Sequence, residues 1–165
     1  MKEVCSLFFG IMMYYSDKNE SLKVLDVGSK DNGDNCPDFR NLFDNTDWSI
    51  VGLDLEKGKN VDLVSEPYSF PFEDNTFDIV MTNQVMEHVE KPWIWVTEMS
   101  RVLKYSGLMY IATTWKFKIH RFPVDCWRIL PDGMKVILEH ANLKPILYDI
   151  EDTWTYGVGK KCLDI

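Results

Sequence analysis

The chain has 165 residues, 45% of them apolar, a formal net charge of −8 and a pI near 4.8. That is the length of one domain, with enough apolar residues to bury a core. An acidic chain without a basic patch does not track a phosphate backbone, so no nucleic-acid partner is expected. An acidic, aromatic-rich chain suits a cationic or neutral ligand, and no apolar run reaches the roughly 18 residues of a membrane span.

In chain order, the apolar segment LFFGIMMYY (7–15) predicts a helix over 3–15 that packs on the rest of the fold. It lacks the basic flank and small-residue cleavage site of a secretory signal. A strand is predicted at 22–27, ending in a glycine-marked turn. A helix follows near 37–45, with Pro37 in its first turn. Strands are predicted at 48–54 and 61–64, and then Pro67 and Pro71 impose an extended loop. Asp74 and Asn75 turn the chain into a strand at 77–82. A helix over 91–104 opens at Pro92 and carries Arg101 and Lys104 in its last turn. A strand at 107–113, an irregular segment at 114–130 and a helix over 131–141 come next. Strands at 145–151 and 157–163, joined by a short loop, finish the chain. Alternating strands and helices imply an α/β fold. We expect one domain over 1–165: a three-layer Rossmann-like sandwich around a mostly parallel seven-stranded sheet, with an antiparallel hairpin at one edge.

The four cysteines, Cys5, Cys36, Cys126 and Cys162, fall in no CxxC or zinc-like spacing. Scattered single cysteines suggest reduced thiols and a cytoplasmic location. The three histidines show no metal-ligand spacing, so no metal is expected.

The run SLKVLDVGSKDNGD carries the strongest functional signal. A buried strand, a tight glycine turn, a helix and a second strand ending in the carboxylate Asp54 make up a nucleotide-binding βαβ unit. The turn brings backbone N–H groups near a ligand, and Asp54 can accept hydrogen bonds from both hydroxyls of a ribose. A dinucleotide fingerprint would place glycine at 28, 30 and 33, but position 30 is Lys. Lys30 obstructs the backbone approach that a pyrophosphate needs.

The stretch FPFEDNTFDIVMTNQVMEHVEKPWIWVTEMSRVLKYSGLMYIATT resembles the core of class I S-adenosylmethionine-dependent methyltransferases of the type-11 kind. The features that match are Phe70-Pro71-Phe72 before Phe77-Asp78, the pair Glu87-His88, Glu98 with Arg101-Val102-Leu103, and Gly107 before a strand. With the glycine turn, the resemblance covers roughly positions 20–150. Departures are Lys30 and Asn32 in place of later glycines of the turn, and Tyr105-Ser106-Gly107 in place of a Pro-Gly-Gly. The segment from His120 through Pro123, Asp125, Trp127 and Arg128 is similar to the cap of a bacterial methyltransferase subgroup associated with surface-glycan and sugar modification.

The resemblance implies S-adenosylmethionine as cofactor and methyl transfer to an oxygen or nitrogen of a small molecule or glycan. Asp54 then meets the ribose. Asp26 and the Gly28 turn meet the amino-acid tail, and Gly28 lets backbone lie against the cofactor without a Cβ. Glu66 accepts from the adenine amino group, with Pro67 in the adjoining loop and Asp62 as a rival acceptor. Asn83, at the end of the fourth strand, faces the tail and methyl group. Candidate general bases are His88, at the rim of that strand, and His120 and Asp125 in the cap. Bland readings stand beside these: a packed helix-start His88, a core Trp127, and an Arg128–Asp125 ion pair. Two rival functions remain open, a dinucleotide-dependent oxidoreductase and a non-catalytic binding or regulatory module that keeps the fold.

Overall fold

The computed structural model describes residues 10, 21–31, 33, 43 and 46–163. The helices expected over 3–15 and 37–45 lie outside the described residues, apart from the single positions Gly10 and Phe43. Among the described residues there are seven strands: β1 Lys23–Val27, β2 Ser49–Asp54, β3 Leu63–Val64, β4 Phe77–Asn83, β5 Leu103–Thr114, β6 Leu143–Glu151 and β7 Trp154–Lys161. Two α-helices, α1 Pro92–Val102 and α2 Pro131–His140, and a 3₁₀ turn Met86–His88 complete the regular structure among the described residues. The strands form one sheet in the order β3-β2-β1-β4-β5-β7-β6. β1 pairs in parallel with β2 and β4, β2 with β3, and β4 with β5. β7 inserts antiparallel between β5 and β6, so the expected antiparallel hairpin stands at one edge.

The parallel strands are near-continuous apolar runs, as a sheet covered on both faces requires. One face carries Leu25, Val80, Met109 and Ile111 against Trp95, Val96, Met99 and Val102 of α1 and Met134 and Leu138 of α2. The three-to-four-residue spacing of those helix positions is what made the helices legible. The other face carries Val24, Ile79, Met81, Tyr110 and Val158, with Phe43 in the same cluster. Gly157 in β7 lets α2 approach closely: a Cβ there would lie 2.4 Å from Cγ of Met134.

Several boundaries differ from expectation. β5 starts at Leu103 because α1 runs straight into the sheet. Leu103 pairs with Phe77, a bulge follows, and Leu108 pairs with Ile79. Ser106 takes φ +66° within that bulge, which is the turn that stands where a Pro-Gly-Gly was looked for. β6 begins at Leu143 and contains Pro145, which an edge strand tolerates because one side of its ladder is free. Lys161 of β7 donates to the carbonyls of Ser100 and Leu103 at 2.7 Å each and so closes the C-terminus of α1. No described helix is long and apolar enough to cross a membrane. Cys126 and Cys162 are free thiols, and Cys5 and Cys36 lie outside the described residues.

Candidate active site

The strand order reverses between β1 and β4, and a cavity of about 620 Å³ opens at the carboxyl ends of β1, β2 and β4. Open parallel sheets bind ligands at such a switch point, and the volume lies within the roughly 300–1,000 Å³ of small-molecule sites. Asp26, Gly28, Asp54, Glu66, Pro67, Asn83, His88 and His120 all line it. Residues drawn from segments almost a hundred positions apart are thus brought to one space.

The glycine turn is built by backbone hydrogen bonds. Gly28 and Ser29 donate their N–H groups to the Leu53 carbonyl at 2.8 and 3.2 Å. Asp54 holds the turn from below: its Oδ2 accepts the Lys30 N–H at 3.0 Å and its Oδ1 accepts the Glu56 N–H at 3.2 Å. Gly28 has φ +79°, which disfavours any side chain there. The space that a Cβ would take is filled by Val85, whose Cγ2 would lie 2.1 Å away. Gly28 thus makes room for Val85, another wall residue of the same cavity. Lys30, expected to obstruct, has no positive φ, and its ammonium is engaged by Glu56 at 2.7 Å.

Two orphan features point to a bound group. Ser29 lines the cavity, and its buried Oγ has no partner among the described residues. Asp54 presents a half-buried carboxylate whose remaining lone pairs face no described donor. Glu66 is exposed at the mouth, where its backbone bridges to Ser69. Its rival Asp62 does not line the cavity. Asp62 instead clamps β2, accepting the Gly52 N–H at 2.7 Å and donating its own N–H to Gly52 at 2.9 Å.

The opposite wall is the cap. His88 Nδ1 lies 2.6 Å from the Val124 carbonyl, so it carries the hydrogen and leaves Nε2 with its lone pair. The His88 and His120 rings meet edge to face at 4.8 Å, with Phe122 6.1 Å from His88. Asp125 stands behind the wall and does not line the cavity. Its side chain is 2% exposed. Arg128 grips it with Nη1 on Oδ1 at 2.5 Å and Nη2 on Oδ2 at 2.8 Å, and the His120 N–H donates to Oδ2 at 2.7 Å. The Arg128 bonds come first among the causes that hold the Asp125 carboxyl well below the usual carboxylate range, against the opposing effect of burial. An acid held this firmly ionised is a weak base, so its geometry is that of an anchor. The ion-pair reading of Arg128 is therefore observed. Trp127 packs against the core and donates Nε1–H to the Val89 carbonyl at 2.8 Å.

Sequence reasoning missed three participants. Trp95 and Arg121 line the cavity, and Glu87 lies just behind it, fully buried, accepting from Thr113 Oγ1 at 2.7 Å. Glu87 had been part of a motif without a role.

A crevice at the carboxyl ends of β1, β2 and β4 on this strand order, with one antiparallel strand inserted next to the edge, is the arrangement of a class I methyltransferase fold. The family described as "Methyltransferase domain" matches residues 25–111, more than half of the chain, and the chain belongs to that family, the class I S-adenosylmethionine-dependent methyltransferases. An uncharacterized methyltransferase of Mycobacterium tuberculosis is 44% identical over 46 residues, 28% of this chain and 18% of that protein. One from Schizosaccharomyces pombe is 50% identical over 40 residues, 24% of this chain and 14% of that protein. The chain thus matches less than a fifth of the length of these curated relatives. Among solved structures, a SAM-dependent methyltransferase from Aquifex aeolicus superposes with TM-score 0.68 at 19% identity, covering 92% of this chain and 88% of that one. The [4+2]-cyclase SpnF superposes with TM-score 0.74 at 14% identity, covering 96% and 82%. At such identities these likenesses speak to the fold.

Proposed function

We propose that this chain transfers a methyl group from S-adenosylmethionine to an oxygen or nitrogen of a small molecule or glycan. The observation that carries this reading is the single cavity with two unlike walls. One wall is the Gly28 turn with the Asp54 carboxylate, suited to a nucleoside. The other is the cap, with His88, His120 and Phe122. S-adenosylmethionine brings a sulfonium whose methyl carbon is already electrophilic. The residues present fit it: Asp54 for the ribose hydroxyls, the buried Asp26 with the Gly28 turn for the amino-acid tail, Ser29 Oγ as a free polar contact, and Glu66 with Pro67 for the adenine edge. Asn83 ends β4 between the two walls. What remains for the protein is to align the acceptor and exclude water.

The cap also supports an acceptor class. Phe122 is 58% exposed beside His88 and offers a face on which a sugar or aromatic ring can stack. Lys116, Lys118 and Arg121 are exposed, and no acidic residue lies between positions 114 and 124. The cap is therefore locally basic, in contrast to the chain as a whole, and it favours an acceptor that carries negative charge over the cationic or neutral ligand that overall composition suggests. The acceptor proton leaves at the His88–His120 wall, and Asp125 positions His120.

Calorimetry with S-adenosylmethionine and its demethylated product, against a nicotinamide dinucleotide, tests the reading directly. Binding of the first two alone is expected. Asp54→Ala should weaken that binding roughly ten- to a hundred-fold, the loss of charge-assisted hydrogen bonds worth about 1.5–3 kcal/mol. Because Asp54 also holds the turn, Asp54→Asn and the unfolding transition of each variant must be read alongside. A folded Asp54→Ala protein with unchanged affinity overturns the assignment.

A further inference from the structure

We propose that Glu87, His88 and His120 bind a divalent transition-metal ion of the zinc type at the cap wall of the cavity. One carboxylate oxygen of Glu87 and one ring nitrogen from each histidine lie within 4.8 Å of one another. Two imidazoles and a carboxylate form a ligand set that zinc and its neighbours accept.

The buried Glu87 supplies an independent reason. Its side chain is 0% exposed, and such a carboxylate needs full satisfaction. Oε2 accepts from Thr113 Oγ1 at 2.7 Å, whereas Oε1 has no partner among the described residues. The nearby guanidinium of Arg128 is engaged by Asp125. A cation bound at Oε1 resolves this deficit.

The histidines are set as ligands are set. His88 Nδ1 faces the Val124 carbonyl at 2.6 Å. His120 Nδ1 faces the Lys118 carbonyl at 3.3 Å and Asp125 Oδ2 at 3.5 Å. All three partners can only accept, so both Nδ1 atoms carry hydrogen and both Nε2 atoms are left to donate a lone pair. Outer acceptors of this kind orient metal-binding imidazoles and raise their basicity. Zinc–ligand distances of about 2.0–2.2 Å put tetrahedral ligands roughly 3.4 Å apart, so the set must draw in by a little over 1 Å. The His120 backbone is tied to Asp125, so this closing falls to the side chains of the set.

Both histidines line the cavity, so an open coordination position would face the acceptor. A hydroxyl coordinated there loses its proton to solvent more readily. With S-adenosylmethionine bound, that oxygen would be the nucleophile for the methyl carbon, and the sulfonium sulfur would leave as a neutral thioether. This catalytic consequence rests on the proposed methyl transfer and moves the proton-accepting task away from the imidazoles. Ion binding itself does not depend on that reading.

The test uses untagged protein stripped with a chelator and titrated with Co²⁺, followed by its visible d–d absorption. Wild type should take up a single equivalent with the intense spectrum of a low-coordinate N/O site. His120→Ala, which alters only the cap, should weaken uptake by at least the roughly 10–100-fold that outer ligand partners are worth. Glu87→Gln keeps an acceptor for Thr113 and should do the same. His140→Ala, at the exposed end of α2, should change nothing. Weak uptake with a pale octahedral spectrum, or uptake equal in wild type, His120→Ala and Glu87→Gln, overturns the proposal. Calorimetry of the metal-stripped protein with the demethylated cofactor separates the two readings. Nucleoside binding without Co²⁺ uptake removes only the metal, and Co²⁺ uptake without nucleoside binding removes only the methyl transfer.

Discussion

Gly28→Ala isolates the most constrained point of the site. Two penalties fall on the same atom. At φ +79° a Cβ costs about 1–2 kcal/mol from the clash intrinsic to left-handed backbone. The new methyl would also stand 2.1 Å from Cγ2 of Val85 and 3.1 Å from its Cβ and Cγ1. Valine has few rotamers with which to yield, and overpacking of this kind costs about 1–3 kcal/mol. The expected loss is therefore about 2–5 kcal/mol, a large share of the roughly 5–15 kcal/mol that stabilises a domain.

A double-mutant cycle divides the two terms. Val85→Ala removes the colliding methyls and leaves the backbone strain untouched. Urea unfolding, followed by tryptophan fluorescence and by circular dichroism, should give Gly28→Ala/Val85→Ala an advantage of about 1–3 kcal/mol over the sum of the single changes. The cofactor affinity of Gly28→Ala should fall as well, because the turn that shifts also carries the Lys30 N–H bound to Asp54. A Gly28→Ala protein within about 0.5 kcal/mol of wild type refutes the reasoning outright. A cycle with no coupling shows that Val85 is not the obstacle.

Two further outcomes follow from the ion pairs. Glu98 accepts the Phe70 N–H at 2.7 Å and two bonds from Arg101, which also holds the Phe72 carbonyl and Asp74; Glu98→Ala should lose about 1.5–3 kcal/mol in urea unfolding, and an unchanged midpoint contradicts this. Asp125 has a folded-state pKa depressed below its unfolded value of about 3.9, so its contribution is fully present above that value and disappears as pH falls through the folded one. The Tm difference between wild type and Asp125→Asn should be constant from about pH 5 to 8 and shrink only below about pH 4; a difference that instead closes near neutrality points to a histidine in place of Asp125.

What was legible in the sequence follows from the range of the interactions involved. The strands at 22–27, 48–54 and 77–82 were visible because both faces of a parallel sheet are buried, so each is an apolar run bounded by turn residues. Asp54 and Gly28 were visible because a strand end and a positive φ leave local marks. The start of β5 at Leu103 was not, because helix and strand abut there and the bulge depends on pairing with Phe77. The anchoring of Asp125 follows from Arg128 three residues on, which local spacing does show. Glu87 and His120 lie 33 positions apart, and no motif spacing announces that a buried carboxylate and a cap imidazole converge. The helices expected at 3–15 and 37–45 lie outside the described residues.

The cap bears on acceptor choice through how it is fastened. The Glu87 carbonyl accepts the N–H groups of Cys126 and Trp127 at 2.7 and 3.3 Å. His88 holds the Val124 carbonyl, and Trp127 holds Val89. Arg128, fixed on Asp125, donates to the Lys118 carbonyl at 3.3 Å and to the Phe117 carbonyl at 3.4 Å. The base of this segment is therefore tied to the 3₁₀ turn after β4, the element that also carries His88. Such fastening gives the wall a fixed place relative to the strand ends, where an in-line transfer needs its acceptor held to within a fraction of an ångström. Meanwhile Ile119, Arg121 and Phe122 stay exposed at its rim. On the proposed methyl transfer, selection of the acceptor would fall to these rim side chains, whose exchange leaves the fastening beneath them in place. Glu87 belongs to the same fastening through its carbonyl and its Oε2.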